Sequence, residues 1–285
     1  MSASSSITRR RFIGATAALA AAPCVPRNAS AASSYAQSVL AKGPVGFWRL
    51  AERTGTTASD ASSGGRAGSY RGNPTLGEPG ALAHDSATAV RLAGRGEYIE
   101  IPNDEAFSQP ASGRGMTVEV WMRPDALTFA GQTSQKYVHW LGKGDAGAFE
   151  WGFRFYSNDS PSRPSRISAY IWNPSGGEGA GAYFQDELEV GRWIHVVACY
   201  DPGDRSDPAA GVSIYRDGVL RAGPRRSRAA RYASYDIMPA HRAAPLRLGT
   251  RDLASFFTGA LDDAAIYPRV LSAAEIADDY RAGAV

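Results

Sequence analysis

Along residues 43–285, apolar and polar positions alternate in short runs that are interrupted by Gly, Pro, Asn and Asp. Alternation places every second side chain on the same face of an extended chain, so each run predicts a half-buried β-strand. Many short strands with turn residues between them are typical of an antiparallel sandwich. The pattern therefore predicts an all-β domain, with strands over 98–101, 116–123, 149–156, 166–173, 193–200, 212–215, 246–249 and 256–267.

The C-terminus is the one part of this domain whose pattern predicts a helix. Ser272 and Glu275 have the spacing of a capping box, in which each side chain binds the backbone N–H of the other residue. Ile276 and Tyr280 follow four residues apart, which puts both side chains on one helical face. A short C-terminal helix is therefore expected to pack against the sheets.

Two of the predicted strands carry large side chains on both faces. In 149–156 the aromatic odd positions are expected in the core, which leaves Glu150, Arg154 and Tyr156 on the opposite face. In 166–173 the odd positions are again apolar, so Tyr170 and Trp172 point outward together with Ser168. The residues expected in the core are Phe149, Trp151, Phe153, Phe155, Ile167, Ala169 and Ile171.

The outward side chains of these two strands suggest a binding site. Residues two apart on a strand lie ~6.6–6.8 Å from each other, so two aromatic rings can contact adjacent sugar units. We therefore predict an exposed sugar platform formed by Arg154, Tyr156, Tyr170 and Trp172. The alternative is that a loop such as 157–165 covers the rings, which would then be ordinary packing.

Composition and charge narrow the possible partners. With 44% hydrophobic and 21% charged residues, the chain has the composition of a globular protein. The net charge of +3 comes from residues 1–31, which contain four Arg and no acidic residue; the rest has 27 basic and 28 acidic residues. This balance gives no basis for attraction to nucleic acid or to a membrane surface. The arginine-rich segment 221–231 is either a solvated loop or a contact for an anionic glycan.

The N-terminus has the pattern of an export signal. Arg9 and Arg10 precede a short, weakly apolar run over 12–22, and the small residues 29–31 form a cleavage site of the A-x-A type. The paired arginines resemble the twin-arginine signal. We therefore predict a signal peptide over 1–31, a linker over 32–42, a domain over 43–285, and an extracellular or periplasmic location. Cleavage would leave Cys199 as the one cysteine, which excludes an internal disulfide.

Seven short motifs, in order, resemble a known family. They are FWRLAE at 47–52, DASSGGRAGSY at 60–70, VRLAG and EYIEIP between 90 and 102, MTVEVWMRP at 116–124, WIHVVA at 193–198, IYRDG at 214–218, and FTGALDD with IY between 257 and 267. Together they resemble the laminin G-like domains of the concanavalin A-like lectin/glucanase superfamily. The resemblance implies a two-sheet antiparallel jelly-roll sandwich, here with a short C-terminal helix. It also implies a structural calcium ion shared by Asp60 and Asp262, which occupy the family's calcium-binding positions.

Catalytic patterns are weak in this sequence. Glucanases of this fold carry E-x-D-x-x-E on one strand, and that spacing does not occur here. Glu119 and Glu150 could meet across neighbouring strands, although both are more simply interpreted as solvated sheet carboxylates. His195 alternates with apolar residues and is expected to be a core histidine with one hydrogen-bonded nitrogen.

These observations favour binding over catalysis and leave three functions open. The first is an exported, lectin-like carbohydrate-binding module whose partner is a polysaccharide or other glycan. The second is a glycoside hydrolase or polysaccharide lyase of the same fold. The third is a surface adhesion domain with a protein partner. Neither nucleic acid nor, after cleavage of the signal, a membrane is expected to be a partner.

Overall fold

The computed structural model describes residues 1–2, 34–176, 179–201, 211–222, 237 and 239–284. Two antiparallel sheets of eight strands each pack face to face, and two short α-helices accompany them. The predicted all-β sandwich with a C-terminal helix is therefore confirmed. Residues 3–31 of the predicted signal peptide and most of the arginine-rich segment lie outside the described residues. Within the described part, no helix is long and apolar enough to cross a membrane.

Eight strands form sheet A: β1 (Gly46–Trp48), β4 (Thr75–Pro79), β5 (Thr88–Ala93), β7 (Met116–Pro124), β12 (Ile194–Tyr200), β13 (Val212–Arg216), β14 (Val219–Ala222) and β16 (Thr258–Tyr267). Their order in the sheet is β14-β13-β12-β7-β16-β5-β4, and β1 also pairs with β16. The longest strands, β7 and β16, lie side by side in the middle of the sheet.

Eight strands form sheet B: β2 (Thr57–Ala58), β3 (Gly68–Arg71), β6 (Tyr98–Ile101), β8 (Tyr137–Asp145), β9 (Ala148–Tyr156), β10 (Ile167–Trp172), β11 (Gly179–Phe184) and β15 (Leu246–Leu248). Their order in the sheet is β11-β10-β9-β8-β15-β6-β3-β2. Strand β8 was not predicted from the sequence, although it is among the longest of the sheet. Two 3₁₀ turns, Glu105–Phe107 and Gln109–Ser112, precede β7.

Two helices belong to the sheet A side of the molecule. Helix α2 (Ala273–Ala284) begins with the predicted capping box, because the Ser272 amide donates to Glu275 Oε2 over 2.8 Å. Helix α1 (Ser34–Ala41) lies where the sequence predicted a linker. Tyr35 and Val39 on α1 are fully buried and share a cluster with sheet A residues and with Ile276 of α2. The buried apolar face of α1 thus explains why this segment is helical. Because both helices lie on the sheet A side, the outward face of sheet B is the candidate for a ligand site.

Candidate functional site

The four predicted binding residues meet on the outward face of sheet B. Strands β9 and β10 are neighbours, and their alternate residues Trp151, Phe153, Ala169 and Ile171 lie in the core as predicted. The Tyr170 and Trp172 rings stack with centroids 5.3 Å apart, and the Tyr156 and Tyr170 hydroxyl oxygens are 3.3 Å apart. The Arg154 guanidinium lies 4.8 Å from the Tyr170 ring centroid and 5.3 Å from that of Trp172.

The expected exposure of these rings is wrong. Tyr170 and Trp172 are each only 5% exposed. Arginine side chains cover them, because a guanidinium is attracted to the negative face of an aromatic ring. Arg251 lies 4.8 Å from the Trp172 centroid, in addition to Arg154. The loop 157–165 contributes as well, since Arg163 Nη1 donates to the Tyr156 hydroxyl over 2.9 Å.

Two glycines explain how the rings lie on the sheet. Gly181 and Gly179 of β11 are the register partners of Tyr170 and Trp172. A Cβ atom on Gly179 would lie 2.5 Å from the Trp172 ring, and one on Gly181 would lie 2.7 Å from the Tyr170 ring. Both distances are below van der Waals contact, so the rings can lean over the edge strand only because these positions have no side chain.

A β-bulge changes the predicted faces at the start of β9. In the pairing with β8, Trp151 faces Lys143 and Phe149 faces Gly144, so Glu150 is an extra residue. Phe149 therefore joins the outward face, where its ring lies 4.3 Å from the Arg251 guanidinium. Glu150 is instead buried, forms an ion pair with Lys143 and accepts a hydrogen bond from Ser108 Oγ over 2.5 Å. The predictions of a core Phe149 and an outward Glu150 are both wrong.

Arg251 is a site residue that the sequence did not reveal. It follows β15, far along the chain from β9 and β10, and is only 1% exposed. Its Nη2 donates to Asp252 Oδ2 over 2.7 Å, whereas Nε and Nη1 have no hydrogen-bond partner among the described residues. The ring faces of Phe149 and Trp172 lie on this guanidinium instead.

His139 lies beside Arg154 and is neutral. Arg154 Nε donates to His139 Nε2 over 3.1 Å, so the ring proton is on Nδ1, which lies 3.6 Å from Asp252 Oδ2. Burial and the charges of Arg251 and Arg154 lower the His139 pKa well below its usual value, and Asp252 offsets only part of this effect. The cluster of Arg154, Arg251, His139 and Asp252 therefore carries two positive charges and one negative charge.

The candidate catalytic groups do not form a site. Glu119 lies on β7 of sheet A and Glu150 on β9 of sheet B, so the predicted pair across neighbouring strands is wrong. His195 is a core histidine as predicted: its Nε2 lies 2.8 Å from Glu119 Oε1, and its Nδ1 has no partner among the described residues. Burial raises the pKa of the Cys199 thiol to about 11, which leaves this residue an inert part of the core.

One apolar cavity among the described residues lies between the sheets and is lined by Met116, Phe153 and Tyr200, among others. Its volume is about 20 Å³. That is room for roughly one water molecule, so this cavity is too small for a sugar unit.

The two predicted calcium ligands differ in how well they fit the ion. Both carboxylate oxygens of Asp60 accept backbone N–H groups, those of Phe47, Ser62 and Arg66, over 2.7–2.9 Å. Asp60 therefore has little capacity left for a metal. Asp262 Oδ2 accepts the Ala81 amide over 2.8 Å, whereas the buried Oδ1 has no partner among the described residues. A carboxylate oxygen with a free lone pair is a suitable calcium ligand, so only the Asp262 side fits.

Calcium binding stays a prediction, and a melting experiment tests it. Calcium that binds only the folded state raises the melting temperature by mass action, so millimolar Ca²⁺ should raise it by a few degrees and chelator should reverse this. Asp262→Asn should abolish the calcium response. Asp60→Asn should lower the melting temperature without abolishing the response to calcium. An identical melting curve in calcium and in chelator for the unmodified protein would contradict the prediction.

The comparisons with known proteins agree with this fold. The laminin G-type family model (Laminin_G_3), described as concanavalin A-like lectin/glucanases superfamily, matches residues 93–277. The chain belongs to this family. A comparison with curated protein sequences finds no match.

Solved structures of low sequence identity share the fold. Domain 4 of AbnA, an extracellular arabinanase from Geobacillus stearothermophilus in complex with arabinotriose, has 16% identity and a TM-score of 0.52, covering 83% of this chain and 98% of that one. A structure on cell entry of botulinum neurotoxin type C, described as dependent on two ganglioside molecules, has 10% identity and a TM-score of 0.60. A botulinum neurotoxin DC binding domain in complex with rat synaptotagmin II has 10% identity and a TM-score of 0.57. The matches cover 86% and 85% of this chain, which spans about half (52%) of each toxin structure.

Proposed function

We propose that the protein is a secreted carbohydrate-binding module that holds extracellular polysaccharide on the outward face of sheet B. The observation that carries the proposal is the cluster of aromatic rings and arginines on β8, β9 and β10. A pyranose ring presents a face of C–H groups that packs on an aromatic side chain, while its hydroxyl groups bind polar side chains. Because Tyr170 and Trp172 are covered, the ligand contacts the half-buried Tyr137, Phe149 and Arg154 above them.

The similar structures support a glycan ligand in general terms. The AbnA domain was solved with arabinotriose, and almost its whole length is matched by this chain. At 16% identity the similarity extends to the fold only, so the sugar specificity is not carried over. The match to a toxin domain bound to synaptotagmin II keeps a protein partner as the competing function.

Binding is favoured over hydrolysis by the positions of the carboxylates. A glycosidase needs two carboxyl groups on either side of the scissile bond. On the outward face of sheet B, the carboxylates of Glu100 and Asp145 are both engaged by Arg247, and that of Asp252 by Arg251. These carboxylates are therefore held by arginine side chains rather than placed as a pair on either side of a binding groove.

Retention on a glycan panel tests the proposal. The purified protein should be retained by at least one polysaccharide without releasing reducing ends, at affinities in the micromolar to millimolar range expected for a shallow surface site. Release of reducing ends would identify a hydrolase, and unsaturated products a lyase. Absence of retention on every polysaccharide would contradict the proposal and favour a protein partner.

Export is part of the same proposal and rests on the twin-arginine pattern of the N-terminus. The mature chain is expected to begin near Ala32. N-terminal sequencing of protein collected outside the cytoplasm checks this, and a chain that still begins with Met1 would contradict it.

A further inference from the structure

One end of sheet B carries an arginine over an aromatic ring at four places. We call this region, on the outward side of β8 to β11, the arginine–aromatic face. The distances from guanidinium carbon to ring centroid are 3.8–5.5 Å, within the range of a favourable cation–π contact. The pairs are Arg154 with Tyr137, Arg163 with Tyr156, Arg166 with Tyr183, and Arg251 with Phe149.

This face has an excess of positive charge. Besides the four arginines it contains Lys136. Among the described residues, Lys136 pairs with Asp159, Arg251 pairs with Asp252, and Asp145 of β8 pairs with Arg247. Basic groups therefore outnumber the carboxylates described on this face. The excess is local, since the chain beyond residue 31 is close to neutral. A local field of this kind attracts an anionic ligand without making the whole protein basic.

Arg154 is the arginine at the centre of this face, and it forms no ion pair with any described residue. It contacts His139 Nε2 and the rings of Tyr137, Tyr170 and Trp172, none of which carries a charge. Arg66 is also partly buried, and it does have a carboxylate partner, Asp104. A guanidinium that is partly removed from water without a counter-ion is a ready partner for an anion.

We propose that the arginine–aromatic face selects acidic polysaccharides, and that Arg154 binds the carboxylate or sulfate group of a sugar unit. This inference rests on the proposed function and adds the class of ligand. The planar guanidinium can donate two parallel hydrogen bonds to a carboxylate. The neighbouring rings of Tyr137 and Phe149 are partly exposed and available to the C–H face of the same sugar or of the next one.

The geometry favours an acidic glycan over nucleic acid. Single-stranded nucleic acid needs exposed rings on which successive bases can stack. The largest rings of this face, Tyr170 and Trp172, are each 5% exposed and lie beneath the arginines. Two of the rings on which bases would stack are therefore covered by charged groups.

The test compares one acidic and one neutral polymer. Polygalacturonate and arabinan are titrated against the full chain by affinity electrophoresis, with melting curves recorded for every variant. We expect at least tenfold tighter binding to polygalacturonate, because a charge-assisted hydrogen bond to a sugar anion contributes enough for about that factor. Arg154→Gln should remove most of this preference.

Arg123→Gln is the matched control. Arg123 also lies over an aromatic ring, with its guanidinium 5.2 Å from the Trp193 centroid, but it is on β7 of sheet A. The Arg123→Gln variant removes one positive charge, as Arg154→Gln does, but from the other sheet. It should therefore change the affinity for polygalacturonate by less than twofold. If Arg154→Gln does not fold, Arg154→Lys replaces it: the charge remains but the two-pronged donor is lost, and binding should fall severalfold.

The outcomes separate the two proposals. Equal binding of arabinan and polygalacturonate overturns the inference but leaves the proposed glycan binding intact. The same holds for an unchanged affinity in Arg154→Gln or, where that variant does not fold, in Arg154→Lys. Tighter binding of single-stranded DNA than of either glycan also overturns the inference. A loss of affinity in Arg123→Gln equal to that in Arg154→Gln also overturns it, because general charge would then be the cause. Failure to bind any glycan overturns the proposed function together with the inference.

Discussion

Glu119→Ala is expected to lower the free energy of unfolding by about 3–5 kcal/mol, the cost of breaking a buried charged network. Glu119 is fully buried on sheet A. It accepts hydrogen bonds from the Tyr35 hydroxyl over 2.9 Å and from the Tyr267 hydroxyl over 2.7 Å, and it contacts His195. The alanine variant leaves these three polar groups buried without their partner, and it loosens α1 because Tyr35 belongs to that helix.

Urea unfolding measures this loss, and an exposed glutamate is the control. Glu189 also has a basic partner, Arg192, with Nη1 2.8 Å from Oε1, but both side chains are more than half exposed. Glu189→Ala should therefore change the free energy of unfolding by roughly 0.5 kcal/mol or less. A loss below 1 kcal/mol in Glu119→Ala would contradict the buried network.

The effect of Glu119 should also depend on pH. Burial alone would raise the pKa of Glu119, but the hydrogen bonds and charge of His195, and the hydroxyls of Tyr267 and Tyr35, lower it below its usual value of 4.5. A carboxyl with a lower pKa in the folded state stabilises the fold above its unfolded pKa. This stabilisation is lost as the pH falls through the folded pKa. The difference between the unmodified protein and Glu119→Ala should thus be largest near neutral pH and shrink below pH 4.5.

Trp172→Ala is expected to cost about 3–5 kcal/mol, as for other buried tryptophans. The ring is 5% exposed and contacts Tyr170, with Arg251 4.8 Å and the Phe149 centroid 6.0 Å away. An exposed sugar platform would lose little stability on the same change. Trp172→Phe keeps an aromatic face for the arginines and should cost less than half as much. If Trp172→Ala melts like the unmodified protein, the ring is not packed beneath the arginines.

The loss of stability expected for Trp172→Ala makes this variant unsuitable for measuring glycan binding. Loss of glycan retention in Trp172→Ala would be ambiguous, because the variant disturbs the whole outward face of sheet B. Arg154 is half-buried and forms no ion pair among the described residues, so its removal leaves no carboxylate unpaired. Arg154→Gln is therefore the more informative change.

Most of the strand pattern could be predicted because alternation directly reflects a sheet with one buried face. The predicted strand 98–101 matches β6, and 116–123 differs from β7 by one residue. Alternation fails where a residue is inserted, and the bulge at Glu150 reversed the faces of Phe149 and Glu150. A bulge leaves no mark in the spacing of apolar residues, so this error could not be avoided from the sequence.

In the candidate site, the direction of the side chains could be predicted from the sequence, but their burial could not. Alternation correctly placed Arg154, Tyr156, Tyr170 and Trp172 on one face, since it determines the direction of a side chain. It does not determine what covers that side chain. The cover includes Arg251, which is almost eighty residues beyond Trp172 in the sequence and reaches the face only through the pairing of β15 with β8. A contact of this kind requires the tertiary structure.

An NMR titration shows whether the ligand binds on the outward face of sheet B. Backbone amide and arginine Nε–H resonances of the full chain are followed while an oligogalacturonate is added, with Arg154→Gln used to assign the Arg154 signal. We expect the largest shifts in residues 149–156 and 166–172 and at Arg154 Nε–H. Shifts concentrated in β12 and β13, or in α1 and α2, would contradict it, because these elements belong to the opposite side of the sandwich.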